Sequence, residues 1–210
     1  MPSTGTKTIN IKEALTVGWQ SWKRNFLFFI GVMVLVYLIP AIPVLTLELV
    51  GGFIVELFLL GTALILRLLI WLGLIKIALL VSANQPARLG YLFNQSAKLI
   101  KFAVANLIVS LITIVGYLLL IVPGVIWALK YQLVPFLIAD KGLGPIAALR
   151  QSARLTQGAK LQLFYLLLAT TLINFVGALS LVLGLFITIP LTIVAQAHVY
   201  RQLLAQEKSA

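Results

Sequence analysis

Two cations stand inside runs of apolar residues. Arg67 sits in LLGTALILRLLIWLG, Leu59 to Gly73, and Lys130 in IVPGVIWALKYQLVP, Ile121 to Pro135. A guanidinium presents paired N–H donors that match a carboxylate or a phosphate, and an ammonium binds carbonyls or phosphate as a point charge. Pro135 follows Lys130 and Tyr131 by about one helical turn. A proline inside a helix removes one backbone bond and frees a carbonyl a turn earlier, here near Tyr131, which places an acceptor beside Lys130. Arg67, Lys130, Tyr131 and Pro135 are therefore the candidate polar site. For Lys130 two uses stay open: a structural contact toward the bundle interior or a wet outer cavity, and a contact with a substrate or lipid headgroup.

Other chemistry has little material. The chain has one histidine, five acidic residues and no cysteine. It lacks an acid/base pair, a Ser/His/Asp set, a phosphate loop and a metal-ligand spacing. No catalytic, cofactor or metal residue is assigned, and none of these groups is expected. Lys76 lies near a helix end and can extend to water, and Glu56 is read the same way at the opposite boundary. His198 reads as a surface or packing residue, and Asp140 as a partner for Lys141 or Arg150. The amides Asn106, Asn174 and Gln196 complete the polar groups in apolar segments.

The 210 residues are 61% hydrophobic and 10% charged, with a mean hydropathy of +1.10. Soluble domains have about 45–50% apolar and about 25% charged residues, so too few polar side chains exist to cover a surface in water. The composition implies an all-α integral membrane protein. Net charge is +11, but the cations cluster beside apolar runs. That pattern fits orientation in a bilayer and attraction to anionic headgroups, not nucleic-acid binding.

A spanning helix needs about 20 apolar residues. Six segments qualify or come close: Phe26–Leu47, Phe58–Ser82, Phe102–Val122, Val125–Ala139, Leu161–Val176 and Leu179–Val199. No cleavage site follows the first, so it reads as a span and not a signal peptide. Lysine and arginine fall before the first segment, between the second and third, between the fourth and fifth, and after the sixth. The other three connections, near Ile42–Gly52, Pro123–Gly124 and Gly177–Ala178, carry none. This bias places both termini in the cytoplasm and arranges six transmembrane helices as three hairpins. Pro123–Gly124 is the expected reversal between the third and fourth helices. Val125–Ala139 is short, about 22 Å, so it spans a thinned bilayer or turns within the protein.

The single membrane domain, 1–210, divides into an N-terminal cytoplasmic or interfacial segment (1–25), a first hairpin (26–83), an interfacial helix plus hairpin (84–140), and another such unit with a short tail (141–210). Helical spacing separates apolar from polar residues in Ala87–Lys101 and Pro145–Lys160, and more roughly near Ile11–Phe26. These are the expected cytoplasmic interfacial amphipathic helices. Gln95–Leu99 (QSAKL) recurs as Gln151–Leu155 (QSARL), which hints at a threefold repeat. Candidate contacts to anionic lipid are Lys23, Arg24, Arg88, Lys98, Lys101, Arg150, Arg154 and Lys160.

The second half carries a family likeness. Its residues are GYLLLIVPG over Gly116–Gly124, then Lys130-Tyr131, Pro135 and Ala139-Asp140, then Ala148-Leu149, Ser152, Leu155 and Gly158, with Pro190 and Tyr200 in the last segment. This order resembles a group of bacterial integral membrane proteins of unknown function, including the YciC-like proteins and the membrane domain joined to some glycerophosphodiester phosphodiesterases. The resemblance runs from about Gly73 to Leu203. Before that only Ala14-Leu15, Trp19 and Asn25-Phe26 fit, and Ala159-Lys160 departs from the usual pattern. It implies six helices in a bacterial inner membrane and supplies no reaction, since the phosphodiesterase activity belongs to a separate soluble domain.

The expected function is non-enzymatic: binding or packing with membrane lipids, with a second copy of the chain or another membrane protein as possible partners. The alternative is a transporter or flippase-like carrier that uses Arg67 and Lys130 at membrane depth. Because the chain has no cysteine, topology is testable cleanly. Cysteines introduced at Gly5 and Ser209 should escape an impermeant thiol reagent in intact cells; labelling of either reverses the orientation.

Overall fold

The computed structural model describes residues 7–46, 52–180 and 183–208. Gly5, Leu47, Ser209 and part of the connections at 42–52 and 177–185 lie outside them. Among the described residues the regular elements are all helices: α1 Ile11–Arg24, α2 Phe26–Leu45, α3 Phe53–Ser82, α4 Ser96–Leu119, α5 Ile121–Tyr131, α6 Val134–Lys141, α7 Pro145–Thr156, α8 Lys160–Leu179 and α9 Leu185–Lys208, with one 3-10 turn at Leu89–Leu92. Five are long and apolar enough to cross a membrane: α2, α3, α4, α8, and α5 with α6 taken together as Ile121–Lys141. The expected sixth segment, Leu179–Val199, includes residues outside the description. Helix α9 is mostly apolar as far as Val199, with Thr188, Thr192, Gln196 and His198 among its apolar residues, and then carries Arg201, Gln202 and Glu207.

Local chemistry sets the helix ends. Asn10 caps α1 by accepting from the Glu13 N–H at 3.0 Å. Glu13 lies in its first turn and Lys23 and Arg24 in its last, the signs that suit the helix dipole. Helix α1 buries Ala14, Gly18, Ser21 and Trp22 and exposes Lys12, Trp19 and Lys23. Helix α7 likewise buries Ala148, Leu149, Ser152, Leu155 and Thr156 and exposes Arg150 and Arg154.

The expected helix over Ala87–Lys101 is absent. Its first part is the 3-10 turn, and its second part is the start of α4. The cause is a close approach: Leu92 is fully buried, and its backbone lies where a side chain on Gly73 of α3 would be. The two QSAKL-like stretches consequently occupy different places. Ser96 is exposed at the start of α4, whereas Ser152 is buried inside α7.

The reversal between α4 and α5 also differs from expectation. The helix breaks at Leu120, with φ −168° and ψ 154°. Pro123 is the third residue of α5, where the lost N–H was unpaired anyway. Gly124 is needed for contact and not for a turn: a Cβ on Gly116 would lie 2.9 Å from its Cα, and one on Gly124 would strike the Tyr117 ring. The fourth apolar segment is two helices, broken at Gln132–Leu133, and Pro135 is the second residue of α6.

The core sits toward one end. In α3 most buried residues fall between Ile70 and Ser82, and α6 buries Val134 and Phe136–Ala139. Helix α3 packs against α2, α4, α6 and α9. At the other end Leu38 and Ile42 of α2, Phe53 and Leu57 of α3, Leu118 of α4, Ile121 and Val122 of α5, and Phe175 of α8 are exposed. Burial is densest around the Ser82 end of α3, while α4 and α5, and α8 and α9, keep close pairwise contacts at the other end through Gly116 with Gly124 and Gly177 with Gly184.

Overpacking a tight contact costs about 1–3 kcal/mol. Gly124→Val should therefore lower stability in detergent by about that much. Gly61→Ala, where nothing lies within 4 Å of the added atom, should be neutral or stabilising, since alanine is the better helix former by about 1 kcal/mol. Comparable melting of the two variants would refute the close-approach role of Gly124.

Candidate functional site

Arg67 is the fifteenth of thirty residues in α3. At the usual rise it lies about 21 Å from one end of the helix and about 22 Å from the other. Its side chain is exposed, in a groove of about 630 Å³ with Tyr37, Pro40 and Val44 of α2, Trp71 of α3 and Ile189 of α9. Pro40 and Pro43 stand inside α2 and interrupt its ladder of backbone bonds. Among the described residues Arg67 has no hydrogen bond or ion pair; Arg154 pairs with Glu207 at 3.6 Å, and the His198 ring lies 3.3 Å from the Glu13 carboxylate.

Next to this groove is a smaller cavity of about 280 Å³, lined by Trp71, Gln132, Pro135, Asn174, Thr192 and Gln196, among others. Trp71 and Ile189 line both spaces. Asn174 donates to the Thr192 hydroxyl at 3.2 Å, and Thr192 donates to the Ile189 carbonyl at 3.1 Å. The Gln132 amide donates to the Leu129 carbonyl at 3.2 Å. Gln196 is half-buried and makes no hydrogen bond among the described residues. Phe136 also lines the cavity and stacks on Tyr200, ring centroids 5.9 Å apart.

The structure does not bring Arg67 and Lys130 together; they line separate spaces. Lys130 lies in the last turn of α5, in a cleft with Arg154, Gln157 and Lys160, and its ammonium is 5.3 Å from the centre of the Tyr131 ring. Pro135, the second residue of α6, frees no carbonyl at Tyr131, since an N–H there would be unpaired in any case; the acceptor used nearby is Lys130's own carbonyl. Ser152 of α7 donates to it at 2.8 Å and Thr156 at 3.4 Å. Pro135 belongs to the amide-lined cavity instead.

Several expected lipid contacts have protein partners. Lys98 donates to the Ala139 carbonyl at 2.7 Å and Lys101 to the Gly142 carbonyl at 3.1 Å, which caps the C-terminal end of α6. Arg24 donates to Asn84 at 3.0 Å, and the Lys23 ammonium is 4.7 Å from the Trp19 ring centre. Arg88, Arg150 and Lys160 are exposed. Asn106 bonds within its own helix, to the Phe102 carbonyl at 2.9 Å. Lys76 is half-buried in a cleft with Asp140, Lys141 and Arg201.

Asp140 is held by Tyr200, whose hydroxyl donates to it at 2.9 Å, and not by Lys141 or Arg150 as the sequence suggested. Burial first, and then the Asp140 charge, keep the Tyr200 phenol well above its usual pKa, so it stays a proton donor. Gln132 and Thr192 were not picked out in the sequence. The available signal was spacing: Thr192 and Gln196, like Arg67 and Trp71, are four residues apart on one helix and so share a face.

No histidine, aspartate or glutamate cluster that could hold a metal occurs among the described residues. No protein-family model, curated protein or solved structure matches the chain. The Tyr200–Asp140 bond yields a direct test. Tyr200→Phe and Asp140→Ala should each lower stability by about 1 kcal/mol, since the carboxylate is exposed and partly hydrated. The double variant should lose no more than either alone; additive losses would show that the bond contributes nothing.

Proposed function

We propose that the chain is a six-span protein of the bacterial inner membrane, with both termini cytoplasmic, that binds anionic phospholipid at Arg67 and catalyses no reaction. Three helix pairs, α2–α3, α4 with α5–α6, and α8–α9, serve as the hairpins. Helices α1 and α7 lie along the cytoplasmic interface with their basic sides in the headgroup region. The likeness to the YciC-like group of bacterial membrane proteins agrees with this arrangement.

The unpartnered guanidinium of Arg67 carries the reading. An arginine near the centre of a spanning helix costs about 2.5–3.5 kcal/mol on insertion scales. Such a residue ordinarily meets a carboxylate or a carbonyl. Arg67 meets neither among the described residues, and its exposed side chain lines a groove between α2 and α3. A lipid phosphate drawn into that groove supplies the missing anion and two parallel hydrogen bonds. Tyr37 and Trp71 beside it are amphipathic rings suited to a headgroup among acyl chains.

A carrier is the second reading, favoured by the adjacency of the groove and the amide-lined cavity, which share Trp71 and Ile189 as walls. Phe136, which lines that cavity, is held by stacking on Tyr200.

Purified protein titrated with anionic and zwitterionic phospholipids, and followed by native mass spectrometry, tests the proposal. A charge-assisted contact contributes about 1.5–3 kcal/mol, so Arg67→Leu should weaken anionic lipid binding about 10- to 100-fold while leaving zwitterionic lipid unchanged. Arg67→Lys should recover part of the loss. Undiminished anionic lipid on the leucine variant would overturn it.

A further inference from the structure

We infer that the amide-lined cavity reads the headgroup of the lipid held at Arg67, and that it selects a hydroxylated one: a glycerol or sugar linked through the phosphodiester. This rests on the anionic-lipid reading above and adds the class of lipid.

Size limits the occupant first. The cavity is about 280 Å³, just below the roughly 300–1,000 Å³ of pockets that enclose drug-sized ligands. It takes a small group, not a whole lipid. Its position ties that group to Arg67. Trp71, one turn along α3, lines both spaces, and four residues of helix rise about 6 Å. A phosphodiester-linked three-carbon polyol covers a step of that length.

The lining decides the chemistry. Gln132, Asn174, Thr192 and Gln196 are all neutral, and no charged side chain lines the cavity. Carboxamides and hydroxyls both donate and accept, as polyol hydroxyls do. An ammonium headgroup fits worse. It would lose its hydration with no carboxylate to replace it, within a turn of the Arg67 charge. A quaternary ammonium is recognised by an aromatic cage, and the aromatic rings here are Trp71 and Phe136.

The polar groups are also prearranged. The bonds from Asn174 to Thr192 and from Thr192 to the Ile189 carbonyl fix two of them across α8 and α9. Gln196, with no hydrogen-bond partner among the described residues, keeps its amide for a ligand. The Trp71 ring adds a flat apolar wall at the junction for the carbon skeleton of the polyol.

The test compares two lipids of equal charge. Phosphatidylglycerol and phosphatidylmethanol both carry a phosphodiester anion, and only the first has headgroup hydroxyls. Binding of each to the full chain in detergent micelles is measured by titration, with phosphatidylinositol as a third ligand to separate glycerol from ring polyols. A site built to bond hydroxyls rejects an analogue without them, so the wild type should bind phosphatidylglycerol or phosphatidylinositol at least tenfold more tightly than phosphatidylmethanol. Gln196→Met and Asn174→Leu should bring that ratio below about threefold and leave phosphatidylmethanol affinity unchanged. Arg67→Leu should weaken all three lipids together. If the wild type binds all three equally well, the headgroup inference fails and the anionic-lipid reading survives. If it binds none, both fail. The wild-type comparison decides even where a variant misfolds.

Discussion

Oil offers no hydrogen bonds. A polar group within the hydrocarbon must find its partner in protein, in trapped water or in lipid. Most polar side chains of this protein meet that demand internally. Lys98 and Lys101 cap α6, Ser152 takes the Lys130 carbonyl, and Asn106 bonds to its own helix. Others do not: among the described residues the buried Trp22 Nε1, Gln95 Oε1 and the Thr113 and Thr188 hydroxyls have no partner, and two further polar groups face open space. Arg67 faces an open groove without an anion, and Gln196 faces a cavity without a bond.

The groove lies where α2 and α3 are least covered, since burial in α3 is concentrated in its last third. Helix α3 is buried along its last third and exposed along its first half. Gly73 admits the backbone of Leu92, and Gly116 and Gly124 bring α4 and α5 together. Close backbone approach through small residues is how helices gain contact where lipid removes the hydrophobic drive to associate. Away from the Ser82 end, large apolar side chains such as Leu38 and Phe53 stay exposed, as residues that meet acyl chains would.

Much of the architecture was legible in the sequence, because length and hydropathy define a helix in oil almost without tertiary context. The positions of α2, α3, α4 and α8 follow from their apolar runs, and the one-sided burial of α7 follows its helical spacing. Breaks were harder. Pro123–Gly124 looked like a turn, yet the reversal is at Leu120, since proline fits the first turn of a helix and the glycine serves packing. The Ala87–Lys101 spacing gave way to the Leu92–Gly73 contact, a tertiary fact with no local trace. Of the candidate site, charge alone exposed Arg67. Asn174 and Gln196 were visible as amides in apolar segments, but their meeting with Gln132 in one cavity was hidden, because the three come from separate helices or turns and one sequence does not show which faces meet. The surroundings of Lys130 were hidden for the same reason: α7 folds back beside it and Ser152 takes its carbonyl.

The central claim is that a lipid phosphate neutralises Arg67. Magnetic-resonance measurement of ¹⁵N–³¹P dephasing, on protein with ¹⁵N-labelled arginine in bilayers containing an anionic phospholipid, addresses it directly. The account predicts a close guanidinium–phosphate component that disappears in Arg67→Leu. Identical dephasing in the two proteins would contradict it.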